Sequence, residues 1–295
     1  MNILLFGRTG QLGFELERTL APLGSVLAFG PDELDLTHLD ALRAVIQNSE
    51  PQVIVNAAAY TAVDKAESEP DRAHAINTEA PRIMAEEARA LNSVFVHYST
   101  DFVFDGENSA AYTEQDAVNP LNVYGQTKWK GEQSIGQAGG AYIILRTSWV
   151  YSLRGDGFVS KVLRWARNQN VVRVVSDQVG SPTWARTLAE ATSLMLARGL
   201  DDPWQYFSKH AGVYHLGGAG ATSRLDYARL VLNLDPKPQD RILDRLEPAL
   251  TVDFPTPARR PLMTALDCSK FERAFGIALP AWQDALKLAM AEFQF

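Results

Sequence analysis

The sequence predicts an α/β protein, a doubly wound parallel sheet joined to a second, smaller mixed α/β lobe. Three observations carry this. Short apolar runs alternate with longer segments of helical periodicity through the first half of the chain. The runs lack the in-and-out polar alternation of a sheet with one wet face, as expected when helices cover both faces. In the second half, Pro182, Pro203, Pro236, Pro238, Pro248, Pro255, Pro257 and Pro261 cut the chain into shorter pieces.

In chain order, Asn2 to Phe6, Val26 to Phe29, Val53 to Asn56, Val94 to Ser99 and Tyr142 to Arg146 read as strands, each rich in Val, Ile, Leu or Phe. Between them, Arg72 to Leu91 places Ala73, Ile76, Ala80, Ile83, Met84, Ala88 and Leu91 at helical spacing, the pattern of a crossover helix. Residues 1–150 are therefore expected to form the sheet domain and 151–295 mainly the second lobe. The stretch 212–217 reads as a late strand returning to the main sheet, so the two parts interleave.

Bulk properties narrow the function. With 295 residues, 46% hydrophobic and 21% charged, the chain can bury a large core. A net charge of −7 and a pI near 5.3 argue against general nucleic-acid binding, so an anionic ligand needs a local basic pocket. Cys268 stands alone, which excludes an internal disulfide and a multi-cysteine metal site; it reads as a small packing residue. No apolar run approaches membrane-spanning length and the chain opens directly on a strand, so the expected location is cytoplasmic, without membrane partners. There is no internal repeat.

Gly7-Arg8-Thr9-Gly10-Gln11-Leu12-Gly13 follows the first strand and precedes the helical Phe14 to Leu20. At a strand-to-helix turn, glycines permit the bend and let a pyrophosphate approach the helix N-terminal amides, which points to a Rossmann-type dinucleotide site; a purely structural turn is the alternative. NAD-specific sites commonly carry an acid at the end of the second strand, and here that end is Ala28-Phe29-Gly30. With Arg8 in the glycine loop, NADPH is the expected cofactor, NADH being also acceptable. Asp32 or Glu33 can take the acidic role after a loop adjustment, and Arg8 can be solvated. Asp35 and Leu36 either edge the adenine pocket or belong to a helix cap.

Tyr124 and Lys128 stand at i and i+4 in a segment that Asn119 and Pro120 introduce as a helix start, so both face one way. A nearby ammonium lowers the tyrosine pKa from about 10 and can also hold a nicotinamide ribose. Such a pair is common by chance on helix surfaces. Its weight comes from following the strand that ends His97-Tyr98-Ser99-Thr100-Asp101, where Thr100 supplies a hydroxyl to polarise a carbonyl.

These motifs resemble the extended short-chain dehydrogenase/reductases over nearly the whole chain. The stretches that carry the likeness are Gly7 to Gly13, Asn56 to Glu67, His97 to Phe104, Asn122 to Lys128, Arg146 to Tyr151, Asp177 to Thr183 and Pro255 to Pro261. The resemblance implies NAD(P)H-dependent reduction of the 4-keto group of dTDP-6-deoxy-L-lyxo-4-hexulose to dTDP-L-rhamnose. By the same matching, Tyr124 is the proton donor, Lys128 its activator and Thr100 the carbonyl contact. Gly10, Gln11, Leu12, Asp35, Leu36, Ala59, Tyr60, Thr61 and Tyr98 line the cofactor site, while Thr100, Asp101 and Trp149 touch the sugar.

Arg259 and Arg260 lie in a proline-bounded loop, and Arg260 is the candidate to grip a diphosphate bidentately; two solvated arginines are the alternative. Trp149, just beyond a strand's C-terminal end, lies where such sheets bind ligands, or is core. In some members of the resembled family a divalent cation joins two subunits through acidic side chains, one matching Glu15. Here Arg186 stands at the position of the second acid, with Glu190 one turn on, so no metal is expected and the assembly is a monomer or homodimer. Two other readings stay open: a reductase of a different nucleotide-linked 4-keto sugar, and a non-catalytic NADP-binding regulatory subunit.

Overall fold

In the computed structural model, which describes residues 1–292, the first half of the chain lays down β1 (Asn2–Phe6), α1 (Gln11–Leu20), β2 (Ser25–Phe29), α2 (Leu39–Ser49), β3 (Val53–Asn56), α3 (Val63–Ala66), α4 (Pro70–His74), α5 (Ala80–Ala90), β4 (Val94–Thr100), α6 (Val123–Ala138) and β5 (Tyr142–Thr147). The second half adds β6 (Val150–Tyr151), α7 (Phe158–Asn168), β7 (Val171–Val175), β8 (Val179–Gly180), β9 (Thr183–Trp184), α8 (Ala185–Ala197), α9 (Pro203–Lys209), β10 (Gly212–His215), β11 (Thr222–Ser223), α10 (Arg224–Asn233), β12 (Arg245–Ala249), α11 (Ser269–Phe275) and α12 (Trp282–Ala291).

Six strands form one parallel sheet in the order β10-β5-β4-β3-β1-β2. The apolar runs lack alternation because both faces are covered. Ile3, Leu5, Val53, Val55, Val94 and Val96 pack on one side against Leu16 and Leu20 of α1 and Leu188 and Met195 of α8. Leu4, Phe6, Ile54 and Phe95 pack on the other against Leu42 and Ile46 of α2 and Ile83 and Met84 of α5. The order reverses beside β1, and it is outside the carboxyl ends of such strands that ligands bind.

Residues 70–90 are not one regular α-helix, as the periodicity suggests. Ala75–Glu79 between α4 and α5 is a π turn. The widened turn brings adjacent residues onto α6: Asn77 Nδ2 donates to Thr127 Oγ1 at 3.1 Å and Thr78 Oγ1 to the Thr127 carbonyl at 2.8 Å.

The second lobe has its own apolar core. Val159, Val162 and Leu163 of α7, Val172 and Val174 of β7, Leu225 and Val231 of α10, and Leu286 and Ala289 of α12 form it. Small two-stranded pairs, β7 with β12, β8 with β11 and β6 with β9, frame this core. No helix of the described residues is long and apolar enough to cross a membrane.

Candidate active site

The glycine loop closes directly on β1. Gly7 has φ +94°, and a Cβ there would lie 2.6 Å from the Ala58 nitrogen; a Cβ at Gly13 would lie 1.9 Å from the Gly7 carbonyl oxygen. Both positions need glycine because the loop, the chain after β3 and the first turn of α1 are in backbone contact. Gly10 caps α1 without a side-chain hydrogen bond, and the first turn carries no acidic residue. The helix N-terminus is thus left to an outside acceptor. Gln11 Oε1 beside it is buried without a partner.

At the end of β2 the chain turns so that Glu33, one of the two acids that could take this place after a loop adjustment, comes back to the strand end. Glu33 folds back so that its Oε2 accepts the Gly30 N–H at 2.6 Å while its Oε1 takes Arg8 Nη1 at 3.0 Å. Arg8 also approaches Glu17 at 3.5 Å, so its charge is already neutralised from two sides. Nearby, Asp35 Oδ1 accepts the Thr37 N–H at 2.9 Å, which holds its carboxyl below the usual range; Leu36 is buried.

The loop after β3 holds Ala59, Tyr60 and Thr61. Asn77 clamps it, accepting the Tyr60 N–H at 2.8 Å and donating to the Tyr60 carbonyl at 3.2 Å. The same Asn77 reaches α6 through Thr127, so one side chain ties this loop to the helix that carries Tyr124 and Lys128. The Tyr60 hydroxyl donates to Glu69 at 2.7 Å.

Helix α6 begins one turn later than Asn119 and Pro120 suggest. Asn122 is the cap: its Oδ1 accepts the Gly125 N–H at 2.8 Å and its Nδ2 donates to the Arg259 carbonyl at 2.8 Å. Asn119 instead donates to Asp105. Tyr124 is half-buried, edge-on to Phe102 with ring centroids 5.8 Å apart. Burial pushes its phenol up to about 12, against a hydrogen bond with Thr100 that lowers it. Thr100 donates to Asp101 Oδ1 at 3.1 Å and accepts the Phe102 N–H at 3.2 Å. Asp101 is buried and takes Ser148 Oγ at 2.7 Å; burial raises its pKa despite these donors.

Lys128 is fully enclosed, and burial brings its ammonium down to about 7 against the opposing pull of Glu132. Its Nζ bonds the Tyr98 carbonyl at 2.6 Å and His97 Nε2 at 3.0 Å rather than Tyr124. Tyr98 therefore meets the site through its backbone. Its phenol turns to the opposite face and bonds Thr192 of α8 at 2.6 Å, where burial raises its pKa.

Phe102, edge-on to Tyr124, also walls a cavity of ≈ 570 Å³ together with Trp149, Phe158, Trp165 and Phe254, edged by Lys161, Arg173, Arg224 and Arg260. Trp149 sits at the end of β5 in the left-handed region, φ +44°, a strained position for an aromatic. Arg224 lies 3.5 Å over its ring, and burial lowers this guanidinium to about 10. Arg260 lines the same cavity, but its fork is already bidentate on Asp64, at 2.8 and 3.1 Å, and Arg259 is exposed.

Comparison with known proteins agrees over the full length. The family pattern of the RmlD substrate binding domain matches residues 1–295. A dTDP-4-dehydrorhamnose reductase of Escherichia coli K12 is 41% identical over 99% of this chain and 98% of its own. The chain belongs to the dTDP-4-dehydrorhamnose reductase family. A crystal structure of a dTDP-4-dehydrorhamnose reductase from Clostridium acetobutylicum superimposes with a TM-score of 0.90 at 32% identity, covering 100% of both chains. Another of the family, from Bacillus anthracis and in complex with NADP, gives 0.86 at 29%, with 98% of each chain covered. Thermotoga maritima UDP-glucose 4-epimerase, 18% identical over 99% of this chain and 98% of its own with a TM-score of 0.78, shares the fold.

Within this family site, sequence reading missed Arg224, His97, Asn56 and Asn77. Arg224 opens α10, far in sequence from Trp149, and no spacing links the two. His97 was legible as part of the strand end, but its contact to Lys128 depends on how α6 lies across β4. Glu15 is buried and takes Arg18 at 3.1 Å and Arg186 at 3.3 Å, and Glu190 lies 3.6 Å from Arg18. Among the described residues no cluster of three or more His, Cys, Asp or Glu is arranged to hold a metal ion.

Proposed function

We propose that this chain reduces the 4-keto group of dTDP-6-deoxy-L-lyxo-4-hexulose to dTDP-L-rhamnose with NADPH, Tyr124 being the proton donor. The supporting observation is the meeting of Tyr124 and Thr100 around Phe102, a wall of an aromatic, arginine-edged cavity, on the strand and helix that follow a bare glycine loop. Residues 1–150 with β10 are assigned to the dinucleotide and the remainder mainly to the substrate.

The uncapped N-terminus of α1 and the orphaned Gln11 Oε1 fit a dinucleotide. Gly7, Gly10, Gln11, Leu12 and Gly13 would hold its pyrophosphate, Arg8, Asp35 and Leu36 its adenosine end, and Ala59, Tyr60, Thr61, the backbone at Tyr98 and Lys128 the rest. When bound, the nicotinamide supplies the hydride. Tyr124 gives its proton to the C4 oxygen as the carbonyl becomes an alcohol, and burial keeps that proton on the phenol until it is needed. Thr100 holds the same oxygen, and a charged Lys128 steadies the tyrosinate left behind. Asp101 and Trp149 bound the sugar. Arg224, Arg173 and Lys161, with Arg260 where it rests on Asp64, face the diphosphate, and the aromatic walls take the base.

The test is a coupled assay with the dTDP-4-keto sugar, read as loss of NADPH absorbance. Turnover is expected. Tight dinucleotide binding without turnover would make the chain a regulatory subunit, and turnover only with another nucleotide-linked keto sugar would replace the substrate.

A further inference from the structure

His97 is buried in β4, and its side chain has no part in the chemistry described above. Its ring lies between two partners. Nδ1 is 3.1 Å from Asn56 Nδ2 of β3, and Nε2 is 3.0 Å from Lys128 Nζ of α6. The Asn56 amide is not free to turn, because its Oδ1 accepts the Ala58 N–H at 3.0 Å. A flipped amide would set an NH2 against that N–H and leave a backbone donor without a partner.

The rest is hydrogen-bond bookkeeping. Asn56 Nδ2 can only donate, so His97 Nδ1 accepts, and the single proton of the neutral ring sits on Nε2. That N–H points at Lys128 Nζ. An ammonium has donors alone and would meet it donor to donor, whereas a neutral amine offers a lone pair. In either state Nζ donates to the Tyr98 carbonyl at 2.6 Å.

We propose that His97 is a positioning residue: Asn56 fixes its tautomer, and its Nε2–H holds Lys128 Nζ at the end of β4 as a neutral amine in the resting protein. On leaving His97 for an acceptor such as a hydroxyl, the amine takes up a proton from solvent water, which ties its charge to occupation of the site. This rests on the reading of Lys128 as activator of Tyr124. The surrounding groups are consistent with it. Glu132, one turn on in α6, is spent on Arg146 of β5, bonded at 2.9 and 2.6 Å. Asp101 at the strand end is taken up by Thr100 and Ser148, and Tyr124 on α6 keeps its proton. Burial lowers Lys128 and outweighs Glu132. His97 itself is held well below the usual histidine range, chiefly by its burial, so its ring stays neutral.

Nitrogen spectra of histidine-labelled full-length protein, with His97 assigned through His97→Gln, read the tautomer without any turnover. The expected result is a neutral ring protonated on Nε2 at pH 8 to 9, above the Lys128 midpoint of about 7. Asn56→Asp presents a carboxylate oxygen to Nδ1, moves the proton there and turns Nε2 into an acceptor for an ammonium. The titration midpoint of Lys128, followed by its 13Cε shift, should then rise by about one pH unit, a tenfold change in its protonation equilibrium. The limb of the kcat profile that reports Lys128 should move with it. A wild-type ring protonated on Nδ1 overturns the inference, as does a Lys128 midpoint that stays put after the tautomer has changed. Should Asn56→Asp not fold, His97→Gln can turn its amide oxygen to Nζ, and the same rise is required of it. Failure of the wild type to turn over the dTDP-keto sugar would defeat the proposed function, while the spectra would still decide the role of His97.

Discussion

Gly125 rests on the Phe102 carbonyl: a Cβ at position 125 would fall 2.2 Å from that oxygen and 3.0 Å from the Pro120 ring. The contact sets how closely α6, with Tyr124 and Lys128, approaches the turn that carries Thr100. Gly125→Ala must push the helix away, because both obstructing groups are backbone or a proline ring. Overpacking of this kind costs about 1–3 kcal/mol. A displacement near 1 Å at a reacting group costs on the order of 10²-fold in rate. Thermal unfolding and steady-state kinetics of the variant check both. A variant with wild-type kcat would show that the separation of Tyr124 and Thr100 is not set here.

Arg8 and Glu33 act as a unit at the end of β2, joined at 3.0 Å, with Glu33 also held by the Gly30 N–H. Arg8→Ala strips the carboxylate of its counter-charge just where a 2′-phosphate is expected. NADPH binding should weaken about tenfold or more while NADH binding changes little. Glu33→Gln should shift the ratio the other way, toward NADPH. Dissociation constants for both dinucleotides decide this; equal weakening by Arg8→Ala would place Arg8 on the shared pyrophosphate.

Glu15 is 4% exposed, and its carboxylate is satisfied within the chain by Arg18 and Arg186. Arg186 also pairs with Glu292. Two guanidiniums thus occupy the space in front of the acid, so exhaustive chelation should change neither activity nor melting temperature. Arg186→Ala leaves a buried carboxylate with one half-exposed partner and should destabilise by about 1–3 kcal/mol. Loss of turnover on chelation, restored by magnesium, would mean that the Glu15–Arg186 pair opens to admit an ion.

Acid stability should carry the mark of His215. Its Nδ1 bonds the Tyr112 carbonyl at 3.0 Å, its Nε2 is buried without a partner, and burial together with Arg146 depresses it to about 3. The unfolded chain binds this proton near pH 6.5, and the folded chain only near pH 3. Stability is therefore present above about 6.5 and falls as pH drops through that window, by about 1.4 kcal/mol per unit for one proton. His97, lowered in the same direction, adds to the fall. His215→Gln should flatten the slope of unfolding free energy between pH 4 and 6 by that amount; an unchanged slope would show that His215 titrates alike in both states.

Much of the fold was legible because the strands obey a local rule. Val53–Asn56 and Val94–Thr100 are buried on both faces and open on the unbroken apolar runs Val53 to Val55 and Val94 to Val96, a pattern that suits a sheet covered on both sides. Thr100, Tyr124 and the glycine loop could likewise be picked out, since strand ends and helix starts have local signatures. What escaped depends on contacts between distant segments. The π turn at Ala75–Glu79 exists to present Asn77 to two partners, one in the loop after β3 and one in α6, and no periodicity announces it. Glu33 was readable as an acid that could return to the strand end, but its pairing with Arg8, 25 residues away, has no local signature. Tyr98 alternates to the opposite face from the site, and only its carbonyl remains there.

Tyr124→Phe removes one hydroxyl and almost no volume, so the half-buried ring can keep its edge contact with Phe102. General acid catalysis is typically worth about 10²–10⁴ in rate, and kcat should fall by that order while the NADPH dissociation constant, set mainly by the glycine loop, stays within about twofold. Lys128→Ala should damage both, since it removes the charge that steadies the tyrosinate and the group assigned to the ribose. It also leaves the Tyr98 carbonyl and His97 without their shared partner. Thr100→Val should lower kcat less than Tyr124→Phe, because Thr100 orients the oxygen without giving up a proton, although Phe102 N–H then loses its acceptor. The decisive comparison is single-turnover hydride transfer in wild type and Tyr124→Phe at saturating NADPH. If the phenylalanine variant transfers hydride at the wild-type rate, the proton comes from elsewhere, and Asp101, whose pKa burial raises at the same strand end, is the next donor to replace.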